Sequence, residues 1–185
     1  MQLRDLPNII SALRLIAVVP VVWLLLEHEF GWALALFAAA GVSDGVDGYL
    51  AKRFGWQSQL GGMLDPLADK ILLVSCFLVL GSMGLIPVWL VLAAVFRDLV
   101  IVSGALAYHF RVAEVKAAPT LVSKLNTVLQ LVLVVLVILD AGVFPLPRPL
   151  IVALVWACLA TVVVSGVQYV WVWSRKARVQ GWKDE

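Results

Sequence analysis

Residues 43–70 read SDGVDGYLAKRFGWQSQLGGMLDPLADK, and a long apolar run flanks them on each side. Four aspartates stand in this stretch, within segments that are otherwise rich in Gly, Ala and Leu. An ionisable residue inside an apolar span costs about 2.5 to 3.5 kcal/mol on insertion scales, so such residues occur where they pair, line a cavity or bind something. The stretch therefore predicts two apolar helices that carry a functional group of carboxylates.

The rest of the chain continues the apolar pattern on both sides. The 185 residues are 63% hydrophobic and 14% charged, whereas soluble proteins average about 25% charged residues. Runs long enough to cross about 30 Å of hydrocarbon predict an all-α integral membrane protein. The predicted transmembrane helices are six, at residues 9–26, 31–50, 60–81, 86–110, 121–139 and 150–173. We expect them to form a single domain over residues 1–185.

The basic residues predict the orientation of this bundle. Under the six-span count nearly all loop Lys and Arg fall on one side, and Arg148 stands alone on the other. Because Lys and Arg accumulate in cytoplasmic loops, both termini are predicted to be cytoplasmic. The net charge of +2 follows from this placement and gives no reason to expect a nucleic-acid partner. The polar segment 174–185 is expected to contact anionic lipid headgroups.

The spacing of the four aspartates predicts that they converge. Asp44 and Asp47 are three residues apart, so they project from one face of their helix. Asp65 and Asp69 are four apart and do the same on the next helix. The short loop between the two helices makes them antiparallel, which brings both pairs to the cytoplasmic end of one groove.

A convergent group of carboxylates predicts a divalent metal. The negative charges repel one another unless a cation neutralises them, and hard oxygen ligands suit Mg²⁺ or Mn²⁺. Thiolate and imidazole are absent from the group, which argues against zinc. Gly48, Ala51 and Gly61 accompany the acids one helical turn away. Small residues of this kind permit close helix packing, but beside four acids we favour a space for a ligand.

The aspartates have two other possible interpretations. One is a set of structural ion pairs with Arg14, Lys70 and Arg97, but these bases are few for four acids. The other is an ion or metal transporter, which also gathers acids within the membrane. The acids here cluster near one face, and no internal repeat is evident. We therefore favour an enzyme.

The same residues carry a family resemblance. They match the signature D-x-x-D-G-x-x-A-R-x8-G-x3-D-x3-D at every spacing, so the chain resembles the CDP-alcohol phosphotransferases. Lys52 stands where that signature has arginine, which keeps the charge but loses the bidentate fork. The resemblance implies transfer of a phosphatidyl group from a CDP-linked lipid to an alcohol, with release of CMP. Intramembrane prenyl transferases also use D-x-x-D motifs and metal, but they lack the G-x3-D-x3-D continuation.

The resemblance also implies a role for each residue of the signature, and a homodimer. A two-metal centre is implied at Asp44, Asp47, Asp65 and Asp69. A nucleotide site is implied at Asp47, Gly48, Ala51, Lys52, Gly61 and Asp65. Asp69 is implied as the general base that takes the proton of the attacking hydroxyl.

Three further stretches bear on the acceptor alcohol: LPNIISALR at 6–14, FRDLVIVSG at 96–104 and PTLVSKLNTVLQ at 119–130. They resemble the phosphatidylglycerol and cardiolipin branch of the family, and most of all the CMP-forming cardiolipin synthases. We therefore expect CDP-diacylglycerol as donor and phosphatidylglycerol as acceptor. The alternative is a phosphatidylglycerophosphate synthase, whose acceptor is glycerol 3-phosphate.

Basic residues outside the signature are candidates for binding the acceptor phosphate. Arg97 lies inside the fourth predicted span, and Lys124 lies near the start of the fifth. For Lys124 the alternative is a lysine that only reaches the lipid headgroups. Similarity to the family suggests that Asn8 and Arg14 help to frame the site. The expected location is a bacterial inner membrane, with the active site facing the cytoplasm.

Overall fold

The computed structural model describes the backbone of residues 6–54, 59–111 and 120–180, and the side chains of residues 12–43, 68, 70–104, 120–169 and 171. All regular structure in these ranges is helical. The helices are α1 (Leu6–Leu26), α2 (Phe30–Phe54), α3 (Gln59–Ser82), α4 (Val88–Arg111), α5 (Leu121–Gly142) and α6 (Arg148–Gln180). Each helix coincides with one predicted span, which confirms the all-α prediction.

The helix ends differ from the predicted span ends where polar residues begin. α2 and α6 continue past the predicted ends at 50 and 173, to Phe54 and Gln180. Lys and Arg are good helix formers, so a helix does not stop where its apolar run stops. α4 begins later than predicted, at Val88, because the Pro87 carbonyl accepts the first helical bond, from the Leu90 N–H at 2.9 Å.

The helices form two compact units. The first comprises Met1–Ile86 with Val134–Pro147, and within it α1 packs against both α2 and α3. The second comprises Pro87–Leu133 with Arg148–Glu185, and within it α4 packs against α6. Apolar side chains fill both cores: Val21, Leu25, Phe37, Leu72 and Leu80 are buried in the first, and Leu90, Val91, Ala94, Cys158 and Val162 in the second.

A three-residue turn joins α1 to α2 and fixes their register. His28 adopts a left-handed conformation with φ 61°. Its N–H donates to the Leu25 carbonyl at 3.1 Å, and the Glu29 N–H donates to the Leu24 carbonyl at 2.9 Å. These two bonds form a Schellman motif, which satisfies carbonyls at the end of a helix. α1 and α2 are therefore an antiparallel hairpin with a tightly bonded turn.

Much of the described surface is apolar, and several described polar side chains are buried. Trp32, Phe96 and Leu121 are 71%, 69% and 83% exposed, whereas Arg14, Arg97 and Asn126 are buried. A water-soluble protein rarely exposes large apolar patches. This distribution agrees with a chain surrounded by lipid.

Two described helices are long and apolar enough to cross a membrane by length and composition alone, Leu121–Gly142 and Arg148–Tyr169. Shorter apolar segments occur at Ala12–Leu26, Phe30–Ser43 and Lys70–Ser82 in the described ranges. The six helices are thus observed, while six membrane crossings and cytoplasmic termini stay predictions.

Candidate active site

The structure places the four aspartates on two helices of the same unit. Asp44 and Asp47 lie in α2, Asp65 and Asp69 lie in α3, and α1 packs against both helices. The side chains of the predicted site lie outside the described residues at Asn8, Asp44, Asp47, Gly48, Ala51, Lys52, Gly61, Asp65 and Asp69. Their helical positions are confirmed, and their convergence stays a prediction.

A groove lies between α1 and α2 in the first unit. It has a volume of about 400 Å³, and its described lining includes Ser43, the residue before Asp44. Its lining residues are Leu13, Arg14, Ala17, Leu36, Ala39, Ala40, Val42 and Ser43. Arg14 is only 2% exposed. The structure therefore places this predicted residue beside the beginning of the signature.

The second unit contains a hydrogen-bonded cluster around Arg97, whose side chain is 4% exposed. Its Nε donates to Ser165 Oγ at 3.0 Å, and its Nη2 donates to Ser123 Oγ at 2.6 Å and also to Ser165 Oγ. Its Nη1 donates to Asp98 Oδ1 at 2.7 Å, in an ion pair. One arginine thus ties α4, α5 and α6 together, and a neighbouring carboxylate balances its charge.

Most of the donor capacity of Arg97 is used within this cluster. Of the five N–H groups of a guanidinium, one on Nε, one on Nη1 and two on Nη2 make the bonds described above. The Tyr169 ring lies 5.9 Å from Arg97 Cζ, within cation–π distance. Among the described residues, these bonds account for all but one of the guanidinium hydrogens, the second on Nη1. Binding of a substrate phosphate by Arg97 stays a prediction.

The start of α5 lies at this cluster. Thr120 caps the helix, since its Oγ1 accepts the Ser123 N–H at 3.2 Å. Lys124 follows and is exposed. No hydrogen bond or ion pair among the described residues joins Lys124 to Arg97. Binding of the acceptor phosphate by Lys124 therefore stays a prediction.

Sequence reasoning did not identify Ser165 or the pair formed by Asn126 and Thr161. Asn126 is fully buried, and its Oδ1 accepts the Thr161 hydroxyl at 3.0 Å, while its Nδ2 has no hydrogen-bond partner among the described residues. Ser165 lies in the apolar run VVVSGV at 162–167. A single hydroxyl in such an apolar run indicates a residue that bonds to a polar group on another helix, and this signal could have identified Ser165.

A second groove, of about 570 Å³, lies between α4 and α6 within the second unit. Arg97 contributes to its wall, and Phe96, Val163, Val167 and Trp171 supply apolar surface around the charge. The nearest side-chain atom to a Cβ built on Gly166 would be Arg97 Cγ, at 3.8 Å. The groove therefore combines a buried cation with an apolar bed.

The described side chains contain no group of three or more His, Cys, Asp or Glu that could hold a metal ion. The predicted ligands are the aspartates of α2 and α3, outside that part of the chain. As a donor set they fit a hard divalent cation, since they offer only carboxylate oxygen.

Several known proteins are similar in sequence to this chain. The chain is 35% identical to "Cardiolipin synthase (CMP-forming)" of Rattus norvegicus, over 89% of this chain and 60% of that protein. It is 33% identical to the Homo sapiens protein of the same name, over 97% of this chain and 64% of the other. It is 31% identical to "CDP-diacylglycerol--glycerol-3-phosphate 3-phosphatidyltransferase 1" of Oryza sativa, over 89% of this chain and 56% of the other.

The chain thus spans less than two thirds of the length of these relatives. The profile of the CDP-alcohol phosphatidyltransferases matches residues 4–167, which include the whole signature and both described grooves up to Val167. On this match, the chain belongs to the CDP-alcohol phosphatidyltransferase family.

Proposed function

We propose that this protein transfers the phosphatidyl group of CDP-diacylglycerol to phosphatidylglycerol, which forms cardiolipin and releases CMP. The names of the rat and human relatives support this acceptor, at 35% and 33% identity. The family match supports the donor, since it covers the signature residues of α2 and α3.

The observation that carries the choice of acceptor is the groove around Arg97. A lipid acceptor needs a cation for its phosphate and an apolar bed for its chains. The groove between α4 and α6 offers Arg97 beside Phe96, Val167 and Trp171. Glycerol 3-phosphate is small and fully polar, so it has no use for this apolar surface.

The reaction assigns a task to each part of the signature. Asp44, Asp47, Asp65 and Asp69 would hold Mg²⁺ or Mn²⁺ in a two-metal centre, which supplies charge neutralisation at the donor diphosphate. Lys52 and the small residues Gly48, Ala51 and Gly61 would line the nucleotide. Asp69 would accept the proton of the phosphatidylglycerol hydroxyl, whose oxygen bonds to the phosphatidyl phosphorus. The bond from that phosphorus to CMP breaks, and CMP leaves with the electron pair.

The proposal includes the placement of the protein. Six membrane crossings, cytoplasmic termini and a site at the cytoplasmic rim would let a nucleotide enter from water while acyl chains stay in lipid. The apolar described surface supports embedding in a membrane. We also propose a bacterial inner membrane, a homodimer, and acceptor contacts by Lys124, Asn8 and Arg14.

The second candidate is a phosphatidylglycerophosphate synthase, which uses glycerol 3-phosphate. The match to the Oryza sativa relative favours it, because that name specifies glycerol 3-phosphate. The donor, the metal centre and the base are the same in both reactions.

One assay separates the candidates. The purified protein receives CDP-diacylglycerol with Mg²⁺ or Mn²⁺, and CMP is measured with each acceptor in turn. We expect CMP and cardiolipin with phosphatidylglycerol. Release of CMP only with glycerol 3-phosphate would replace the first candidate by the second. Metal flux into liposomes without any need for a CDP-lipid would instead favour a transporter.

A further inference from the structure

Gln168 of α6 carries a buried acceptor atom that no described residue uses. Its Oε1 is buried and has no hydrogen-bond partner among the described residues. A buried acceptor without a donor is unfavourable, and native proteins keep few of them. The side-chain carbonyl of Gln168 is therefore a candidate contact for a ligand.

Gln168 lies on the side of α6 that faces α5. Thr161 marks this side, because its hydroxyl donates to Asn126 Oδ1 of α5 at 3.0 Å. Ser165 accepts from the guanidinium of Arg97, which is also bonded to α5. Gln168 follows Thr161 by seven residues and Ser165 by three, so the three share one face of α6. Residues three apart on a helix have Cβ atoms about 5 to 6 Å apart, which brings Gln168 beside the Arg97 cluster.

A glycerol phosphate headgroup offers partners for both Arg97 and Gln168. The second Nη1 hydrogen of Arg97 is not used by the described bonds, and a phosphate oxygen is a strong acceptor for a guanidinium. Gln168 Oε1 can only accept, so it requires a donor such as a hydroxyl. In glycerol phosphate the central hydroxyl lies a short distance from the phosphate. The two side chains therefore complement one headgroup.

We propose that Gln168 selects the acceptor of the reaction by accepting a hydrogen bond from the central hydroxyl of its glycerol phosphate headgroup. The inference rests on the proposed function, because it takes phosphatidylglycerol as the acceptor and Arg97 as the ligand of its phosphate. The terminal hydroxyl, which attacks the donor, is not bound by Gln168. The residue therefore acts on the choice of headgroup.

The test compares two lipid acceptors that differ in this hydroxyl. Phosphatidyl-1,3-propanediol keeps the terminal hydroxyl and lacks the central one. CMP release from CDP-diacylglycerol gives kcat/KM for each acceptor, and the ratio of the two does not depend on the fraction of enzyme that folds. We expect the wild type to prefer phosphatidylglycerol by about tenfold or more, because the analogue leaves Gln168 Oε1 unpaired. Gln168→Leu removes this oxygen and should bring the ratio close to one.

Thr161→Val is the matched control. It removes a hydroxyl from the same face of α6, together with the bond to Asn126, so it tests whether looser packing of α6 on α5 alone alters selectivity. We expect it to keep the wild-type ratio. A wild type that does not distinguish the two lipids, a Gln168→Leu enzyme that still does, or a Thr161→Val enzyme that no longer does would overturn the assignment of Gln168.

The proposed function is tested separately by the same measurement. Release of CMP with glycerol 3-phosphate but with neither lipid would overturn phosphatidylglycerol as the acceptor. The three proteins are then compared on glycerol 3-phosphate and 3-hydroxypropyl phosphate, which again differ only in the central hydroxyl. An equal preference of the wild type and Gln168→Leu in that comparison would overturn the role of Gln168 for the soluble acceptor as well.

Discussion

Arg97 and Ser165 lie 68 residues apart in the chain, and the buried Nε of Arg97 donates to Ser165 Oγ at 3.0 Å. The serine accepts a second bond from Nη2 of the same guanidinium. A buried cation is expensive unless its donors are satisfied. The Ser165 hydroxyl therefore links α6 to α4. It also orients the guanidinium of Arg97, the residue predicted to bind the acceptor phosphate.

Removal of the Ser165 hydroxyl should destabilise the protein. Ser165→Ala leaves buried N–H groups of Arg97 without an acceptor, which costs about 1 to 3 kcal/mol. The free energy of unfolding in detergent, measured by denaturant titration, gives the value. Ser103→Ala is the control, because the exposed Ser103 hydroxyl donates to the Val100 carbonyl of its own helix, at 3.2 Å, and replaces no bond between helices within the described part of the chain. Equal losses in the two variants would contradict the structural role of the cluster.

Neutralisation of the predicted base should slow turnover without abolishing donor binding. Asp69→Asn cannot accept the proton of the attacking hydroxyl, so we expect kcat to fall by about 10² to 10⁴. Asp140→Asn is the matched control, because the exposed Asp140 accepts the Leu146 N–H at 2.7 Å, at the other end of α5 from the Arg97 cluster. Steady-state CMP release measures both. Near-normal kcat in Asp69→Asn would remove this residue from the mechanism.

Removal of divalent ions should stop the reaction reversibly. In the proposed site, four carboxylates without a counter-ion would repel one another and the donor diphosphate, so a chelator is expected to abolish CMP release. Addition of Mg²⁺ or Mn²⁺ should restore it. Asp44→Asn should raise the metal concentration needed for half-maximal activity. Full activity in excess chelator would contradict the metal site.

The close approach of two helices in the first unit predicts a steric limit at Gly142. A Cβ built on this residue would lie 2.5 Å from the Phe30 Cβ and 2.7 Å from the Phe30 Cδ2. Gly142→Ala should therefore lower the free energy of unfolding by about 1 to 3 kcal/mol, as overpacking does.

Gly166→Ala provides the comparison for this prediction. Its added Cβ would meet Arg97 Cγ at 3.8 Å, which is an ordinary van der Waals distance. We expect no loss of stability, by the same unfolding measurement. A Gly142→Ala protein as stable as Gly166→Ala would show that Phe30 moves aside without cost.

The sequence predicted the existence of the six helices, but it did not predict where they end. Apolar runs predicted all six helices because each is long and bounded by Gly, Pro or charge. α6 runs past 173 to Gln180, since its backbone bonds do not require apolar side chains. Hydropathy therefore predicts which part of a helix can lie in lipid. It does not predict where the helix ends, because polar residues can continue the same helix.

The sequence predicted those parts of the candidate site whose residues are close together in the chain. Asp44 and Asp47 fall on one helix because their spacing matches the helical period. Ser165 could not be found in this way, because its partner Arg97 comes from another helix. The groove beside Arg14 likewise depends on the packing of α1 against α2, which no local pattern contains.

The turn at His28 has a consequence for how this protein can vary. Arg14 and Val42 line the same groove, and each is twelve residues, or about 18 Å at 1.5 Å per residue, from the end of its helix at a turn held by two bonds. A single inserted residue in that loop would rotate one helix by about 100° against the other. Loop length is usually free to drift between homologues, yet here the length of one connection sets which residues of α1 and α2 line the same groove.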